Sequence, residues 1–387
     1  MKASSRTNIA PFIVMDVMAA AEAREKSGRD VMHLEVGQPG TGAPEKARQA
    51  VSKAVGKDVL GYTQALGMKE LREGIARQYQ DWYGVDLSPD RVIVTTGSSS
   101  GFILAFLAAL EAGEYCALAE PGYPAYRNIL TALGVRPLGI QTRMANAYQP
   151  TIEELEDAHQ RHPLKGCLVA SPANPTGSML SSTRLKELIG WCADRGIAFF
   201  SDEIYHGITY GEPAETALKF TDDVIVINSF SKYYSMTGWR VGWIIVPENL
   251  IRPVERLAQN LFISAPAISQ IAALAALDAE EEMQVNLDGY KVNRSLLLEG
   301  LPQAGLDRLA PADGAFYIYA DVSAYTTDAG AFCTKMLDET GIAATPGTDF
   351  DPQRGRHFIR FSFAGSEDTI SEAIARLKSW MPHQAKI

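Results

Sequence analysis

Between residues 92 and 246 one pattern repeats along the chain. A short apolar run ends in a polar cluster, and a longer stretch with helical periodicity follows. VIVTTG (92–97) precedes GFILAFLAALEAG, YCALAEPGYP (115–124) precedes a helix through Leu133, and GCLVASPANPTG (166–177) precedes SSTRLKELIGWCADRG. IAFFSDEIY (197–205), VIVINSFSK (224–232) and VGWIIV (241–246) continue the series. Near-continuous apolar strands between helices predict an α/β domain with a mainly parallel sheet, covered by helices on both faces. Such a sheet takes its ligands at the carboxyl ends of its strands. The polar clusters fall there: Gly97-Ser98-Ser99, Tyr123, Asn174, Asp202 with Tyr205, and Ser229 with Lys232.

The flanks read differently. Residues 11–28 have helical periodicity and stop at a glycine. HLEVGQPGTGAPE (33–45) reads as a strand running into a Gly/Pro loop, and residues 60–84 as a loop and then an amphipathic helix. After Pro247 a long helical region runs to about residue 282, with more helix to residue 299. FYIYADV (316–322) and HFIRFSFA (357–364) then read as strands with helices between and after. A chain of 387 residues exceeds what one core serves. The expected division is an N-terminal arm and helix (1–45) packing on the smaller domain, a large domain (46–282) and a small α+β domain (283–387).

Composition narrows the function. The chain is 46% hydrophobic and 21% charged, which is ordinary for a globular protein and unlike a disordered or fibrous one. A formal net charge of -10 without a Lys/Arg cluster argues against a nucleic-acid partner, because phosphate contacts need clustered cations. The four cysteines, Cys116, Cys167, Cys192 and Cys333, have neither metal nor disulfide spacing and read as core residues of a reducing cytoplasm. There is no 18-residue apolar run, so no membrane span is expected. MKASSRTNIAPF lacks the apolar core of a signal peptide. The histidines form no metal-spaced pair, and no metal is expected.

Lys232 is the centre of the candidate chemistry. Most lysines are surface residues. One held at the end of a buried strand beside other positive charge loses its proton more readily, and can then attack an aldehyde to form a Schiff base. Asp202 reads as a turn or cap residue, or as the buried carboxylate that keeps a pyridine nitrogen protonated. Tyr205, three residues on, reaches the same ligand. Asn174 is either turn chemistry or an amide aimed at a ring oxygen. GSSSG (97–101) joins a strand to a helix, and helix N-termini bind anions. Ser98, Ser99 and Ser229 add hydroxyls, and Arg240 adds a charged fork. Tyr123 fills the core or stacks on a planar ring. Arg360, alternating with Phe358 and Ser362, sits on a solvated face or takes a carboxylate bidentately.

GYTQALGMKELRE (61–73), TTGSSSG, EPGYPAY, SPANPTG, SDEIY, SFSKYYSMTGWRVGW (229–243) and IRFSFA occur in this order. In these stretches, which span nearly the whole chain, the sequence resembles the class I/II aminotransferases, pyridoxal-phosphate enzymes of fold type I. The resemblance implies pyridoxal 5′-phosphate held as an internal aldimine on Lys232, with Asp202 on the pyridine nitrogen. Tyr205 and Asn174 would bond the ring hydroxyl oxygen, and Tyr123 would stack on the ring. Gly97, Ser98, Ser99, Ser229 and Arg240 would hold the phosphate, with Ser231 as a further hydroxyl. Arg360 would bind the substrate α-carboxylate beside Asn174, with Gly37 lining that end. Tyr62 would reach the phosphate from a neighbouring subunit, which implies a homodimer with shared sites. The implied reaction is ping-pong transfer of an amino group from an L-amino acid to a 2-oxo acid, 2-oxoglutarate being the expected acceptor and Lys232 the proton shuttle. Some aspartate-specific members carry a lysine in the glycine loop where this chain has Ser98-Ser99-Ser100. Aspartate, alanine, aromatic and branched donors stay open.

Rival readings share some of these residues. GSSSG is a G-x-S-x-G string between a strand and a helix, the setting of a hydrolase nucleophile elbow. Ser99 would be the nucleophile, with Asp202 and His206 or His357 completing the triad, but Lys232, Asn174, Tyr205 and Arg240 would have no role. A β-eliminating lyase of the same fold would share the lysine, aspartate and arginine. Many regulators that have retained the fold have an added DNA-binding domain; no helix-turn-helix fits ahead of Pro11, and Lys232 is intact. The Gly/Pro-rich loops 37–43 and 346–353 are expected to line the entrance, and the second domain to close on substrate.

Overall fold

The computed structural model describes residues 1–387. Its strands in chain order are β1 (Met32–His33), β2 (Val92–Thr95), β3 (Tyr115–Glu120), β4 (Arg136–Gln141), β5 (Leu164–Ala170), β6 (Ala198–Asp202), β7 (Ile225–Ser229) and β8 (Gly242–Ile245), followed by β9 (Tyr317–Asp321), β10 (Ile342–Ala343), β11 (Thr345–Pro346) and β12 (Phe358–Ser362). Strands β2 to β8 form one seven-stranded sheet in the order β2-β8-β7-β6-β5-β3-β4. Only β8 runs antiparallel to its neighbours; the other pairings are parallel.

The sheet is apolar on both faces, which explains the unbroken hydrophobic runs. Val92, Val94, Cys167, Val169, Val226, Trp243 and Ile245 face one core, and Ile93, Leu168, Ile225, Ile227 and Ile244 face the other. Successive strand residues point to opposite sides, so a strand buried on both sides shows no alternation. The principal helices in chain order are α1 (Ile13–Lys26), α2 (Glu45–Val55), α3 (Lys69–Tyr83), α4 (Gly97–Ala109), α5 (Pro124–Leu133), α6 (Ile152–Arg161), α7 (Ser182–Ala193), α8 (Glu248–Leu261), α9 (Ala267–Ala276), α10 (Glu280–Gln303), α11 (Ala329–Thr340) and α12 (Glu367–Trp380). Residues of α3, α6, α7 and α9 cover the first face, and those of α4, α5 and α8 the second.

A separate core lies at the C-terminal end. Leu297 and Leu301 of α10, Phe332 and Met336 of α11, and Ile370 and Leu377 of α12 pack with Ile318, Ile359 and Phe361. These last residues belong to the three-stranded antiparallel sheet β11-β12-β9. The N-terminal segment joins this layer. β1 pairs in parallel with β10, Leu34 is buried in the C-terminal core, and Ala21 of α1 packs with Leu337 and Ala343.

Two differences from the sequence reading have physical causes. β4 does not stand out in the sequence because it is an edge strand: RPLGIQ is only partly buried and carries Pro137, so the continuous apolar run of a central strand is missing. The helical stretch after Pro247 divides into α8, α9 and α10, with a break before Pro266, which caps α9.

Candidate active site

The carboxyl ends of β2, β3, β5, β6 and β7 open on a cavity of about 440 Å³, closed from the other side by the N-terminal segment and the C-terminal layer. Lys232 follows β7 and lines this cavity. Its Nζ donates to the Gly37 carbonyl and lies 5.8 Å from the Tyr205 ring centre. Burial, then the charges of Arg360 and Arg240, bring its pKa down to about 8, and Asp202 opposes the shift.

Asp202 ends β6 and is buried. It accepts from the Tyr126 hydroxyl and from the Ile204 N–H at 3.1 Å. Burial raises its pKa to about 6, against these bonds and the Lys232 charge. Tyr123 lines the cavity with Tyr126, and Phe12 meets the Tyr123 ring edge-on at 5.7 Å.

At the first turn of α4, Thr96 offers no side-chain cap, so the leading N–H groups keep their donor capacity. Ser98 and Ser99 line the cavity there, while the Ser100 hydroxyl turns inward to the Gly97 carbonyl at 3.0 Å. Gly97 has φ +76, and a Cβ on it would lie 2.5 Å from Arg240 Nη2. A glycine therefore lets the guanidinium come down on the helix start. Arg240 itself has φ +50, a strained backbone that tends to mark functional sites, and its Nη1 donates to the Thr237 carbonyl at 2.9 Å. Ser229 is buried, and its Oγ accepts from the Ser231 N–H at 3.1 Å. Ser231 lines the cavity.

Arg360 on β12 is 3% exposed, so it does not sit on a solvated face. Its Nη1 donates to Asn174 Oδ1 at 2.9 Å, and its Nη2 to the Glu35 carbonyl and to Thr345 Oγ1 at 3.3 Å. The guanidinium lies between the rings of Tyr317 (4.5 Å) and Phe350 (4.8 Å). Its Nε is buried without a partner. Tyr205 and Tyr317 share a hydroxyl–hydroxyl bond of 2.7 Å. A Cβ on Gly37 would meet the Tyr317 hydroxyl at 2.1 Å, so any side chain there would have to push Tyr317 off its bond to Tyr205. Tyr62 is 84% exposed and does not line the cavity within one chain.

The hydrolase triad does not assemble. His206 Nδ1 is bonded to the Tyr83 hydroxyl at 2.7 Å and Nε2 to the Ser171 carbonyl at 3.0 Å. His357 is bonded to Arg356. No histidine lines the cavity that holds Ser99.

The profile of the family "Aminotransferase class I and II" matches residues 29–377. The chain belongs to the class I and II aminotransferases. It is 49% identical over 387 residues to the valine–pyruvate aminotransferase of Mycobacterium tuberculosis, covering 98% of each chain. It is 32% identical to the aspartate aminotransferase of Thermotoga maritima, covering 95% of this chain and 96% of that one. The crystal structure of an aminotransferase from Mycobacterium tuberculosis superposes with a TM-score of 0.97 at 48% identity, covering 99% of this chain and all of that one. As an aminotransferase, the chain acts between an amino acid and an oxo acid. No helix is long and apolar enough to cross a membrane.

Several lining residues of this aminotransferase escaped the sequence reading. Tyr126 lies in the first turn of α5, three positions after Tyr123, the extended residue that precedes the helix. Phe12, Met15 and Met18 have the same spacing and line the cavity from the N-terminal segment. Tyr317 could be read only as one aromatic residue among three in FYIY.

Proposed function

We propose that this aminotransferase carries pyridoxal 5′-phosphate on Lys232 and moves the α-amino group of a neutral L-amino acid to a 2-oxo acid by ping-pong turnover. The observation that carries the reading is a half-buried lysine with its pKa near 8, lining one cavity with the Asp202 carboxylate and the Arg360 guanidinium.

The residues fit the cofactor. The uncapped start of α4, Ser98, Ser99 and Arg240 make a donor set for a dianionic phosphate, and Ser229 keeps a hydroxyl proton to add. The buried Asp202, fixed by Tyr126, suits a protonated ring nitrogen. Asn174 spends its oxygen on Arg360 and keeps its amide protons for a ring oxygen, which Tyr205 would share. When bound, pyridoxal phosphate supplies an electron sink and a carrier for the amino group.

The chain's own residues do the rest. Lys232, once neutral, takes the proton from the substrate α-carbon onto Nζ and returns it as an acid. Asp202 stays ionised above about pH 6 and holds positive charge on the ring side. Arg360 is fixed in orientation by Asn174, Glu35 and Thr345 and binds the α-carboxylate of both substrates. One carboxylate site therefore serves both half-reactions, which accounts for ping-pong order.

The remaining wall is apolar. Phe12, Val14, Met15, Met18 and Val36 line it, and the cationic side chains of the cavity are Lys232, Arg240 and Arg360. With all three engaged, this chain's own lining offers no further cation for a second carboxylate. This favours aliphatic donors and a monocarboxylate acceptor such as pyruvate over the 2-oxoglutarate expected from the sequence. The M. tuberculosis relative, a valine–pyruvate aminotransferase, points the same way.

The exposed Tyr62 supports a homodimer in which it reaches the partner's phosphate. The separate cores support a large domain over residues 46–282 and a small one over 283–387, with residues 1–45 attached to the latter. Four buried free cysteines support a reducing, cytoplasmic location.

The deciding experiment adds single amino acids to the purified holoenzyme without any oxo acid and follows the visible cofactor band. Bleaching by valine and alanine, and recovery with pyruvate, is the expected result. Bleaching by aspartate alone, with recovery only by 2-oxoglutarate, would overturn the neutral-substrate reading. Pyruvate and ammonia released without an acceptor would point to the lyase.

A further inference from the structure

The apolar wall belongs to the start of α1, and α1 has no cap of its own. Its N-cap residue, Phe12, makes no side-chain hydrogen bond to the helix, so the first N–H groups need partners from elsewhere. Asp349 supplies them from 335 residues away. Its Oδ1 accepts from the Ile13 N–H at 3.2 Å and its Oδ2 from the Val14 N–H at 3.3 Å. Asp349 is 1% exposed, and burial raises its carboxyl pKa against the pull of these two bonds and of Arg360 and Arg127. Arg127 anchors the same residue by donating to its carbonyl. A negative charge at a helix N-terminus is favourable in itself.

The position of Asp349 gives this cap a functional consequence. It lies in the short turn Gly347–Asp349 that follows β11. The next residue, Phe350, packs on the Arg360 guanidinium at 4.8 Å. Thr345 of β11 stands opposite Arg360 in the ladder and bonds it. One turn thus holds both the carboxylate-binding arginine and the helix that carries Val14, Met15 and Met18. The distance between the two sets the room for a donor side chain.

We propose that Asp349 is a positioning residue that sets donor selectivity: by capping α1 it fixes the apolar wall at its distance from Arg360. The proposal rests on the neutral-donor reading above. A branched side chain needs the wall in place, and the methyl of alanine does not reach it.

The test uses holoenzyme, valine or alanine as single donor, no acceptor, and the rate of change of the cofactor band. Asp349→Ala is expected to raise the half-saturating valine concentration about fivefold, the range a lost cap gives, with the limiting rate changed less than about twofold. Alanine should be nearly unaffected, and backbone hydrogen exchange at Ile13 and Val14 should quicken. Asp349→Asn keeps one acceptor oxygen and should fall between wild type and Ala; it carries the comparison if Asp349→Ala does not fold. Equal losses for valine and alanine, or faster exchange with an unchanged valine-to-alanine ratio, overturn the proposal. The paired change Phe12→Ala with Met15→Ala separates it from its premise. If that variant shifts the ratio and the Asp349 variants do not, Asp349 is not the positioning residue and the neutral-donor reading stands. If neither shifts it, the wall does not meet the donor side chain and the reading falls too.

Discussion

Arg240 and Arg360 face one cavity from two kinds of structure. Arg240 is exposed, lies in a turn with φ +50, and bonds a carbonyl three residues away. Arg360 is buried in a strand and bonds Asn174 and Glu35, which are 186 and 325 residues away. The floor of the cavity is thus built from local turns at the ends of the seven-stranded sheet. The roof is assembled from the two ends of the chain. A floor of this kind holds as long as the large sheet does. The roof holds only while the N-terminal segment stays docked on the C-terminal layer, which makes it the adjustable half.

Removing the floor's central residue has the largest expected effect. Lys232→Ala should lower the donor half-reaction at least about 10⁴-fold, because base and cofactor attachment go together; absorbance-monitored single turnovers measure it. In the wild-type apo-protein, capture of pyridoxal phosphate should quicken as pH rises through about 8, since the pKa of Lys232 is depressed to that value and the neutral amine is the attacking form. Capture that does not change across that range would remove the basis for the floor's chemistry.

The two arginines give the sharper contrast. Arg240→Ala should weaken cofactor binding about 10- to 100-fold, the range for lost charged hydrogen bonds, and leave the donor KM of the loaded enzyme close to wild type. Equilibrium dialysis reads the first and steady-state kinetics the second. Arg360→Lys should do the reverse, lowering kcat/KM for the donor by about 10-fold or more as the planar fork is lost, with cofactor affinity kept. Equal damage to both quantities by either variant would erase the distinction between floor and roof.

The smallest effect is expected at His33, which ties α1 to the roof. Its Nε2 bonds Glu25 at 3.1 Å and its Nδ1 bonds the buried Glu35 at 2.8 Å. The bond to Glu35 is the main cause that raises its pKa to about 9. A folded-state pKa above the unfolded value of about 6.5 means that the stabilisation is fully present below about pH 6.5 and fades as pH rises through 9. His33→Gln should therefore lower the Tm slightly at pH 6 and leave it unchanged at pH 10. A variant whose Tm differs equally at both pH values would rule out this titration.

The difference between floor and roof also explains what could be read from the sequence. TTGSSSG, SDEIY and SFSKYYSMTGWR each place several floor residues within a dozen positions, so their chemistry shows as a local cluster at a strand end. Met15, Met18 and Asp349 carry no such signal. The two methionines look like part of an ordinary amphipathic helix, and Asp349 like a loop acid. They become neighbours of the site only because β1 pairs with β10 and α1 packs beneath α11. Tyr126 lies between these cases: its closeness to Tyr123 in the sequence was visible, but its bond to Asp202 depends on how α5 lies on the sheet.

The sequence by itself determined the sheet of doubly buried strands and the cluster of lysine, aspartate, arginine and serines at their carboxyl ends. Strand burial and turn chemistry act over a few residues and leave a periodic trace. Only the tertiary structure decided that Arg360 is buried and pre-bonded, that no histidine lines the cavity with Ser99, and that Val14, Met15 and Met18 line it from a helix whose first N–H groups bond Asp349. These depend on contacts between segments far apart in the chain, 123 residues for Tyr83 and His206 and more than 300 for the Asp349 and Glu35 bonds, and no local pattern encodes a distance of that kind.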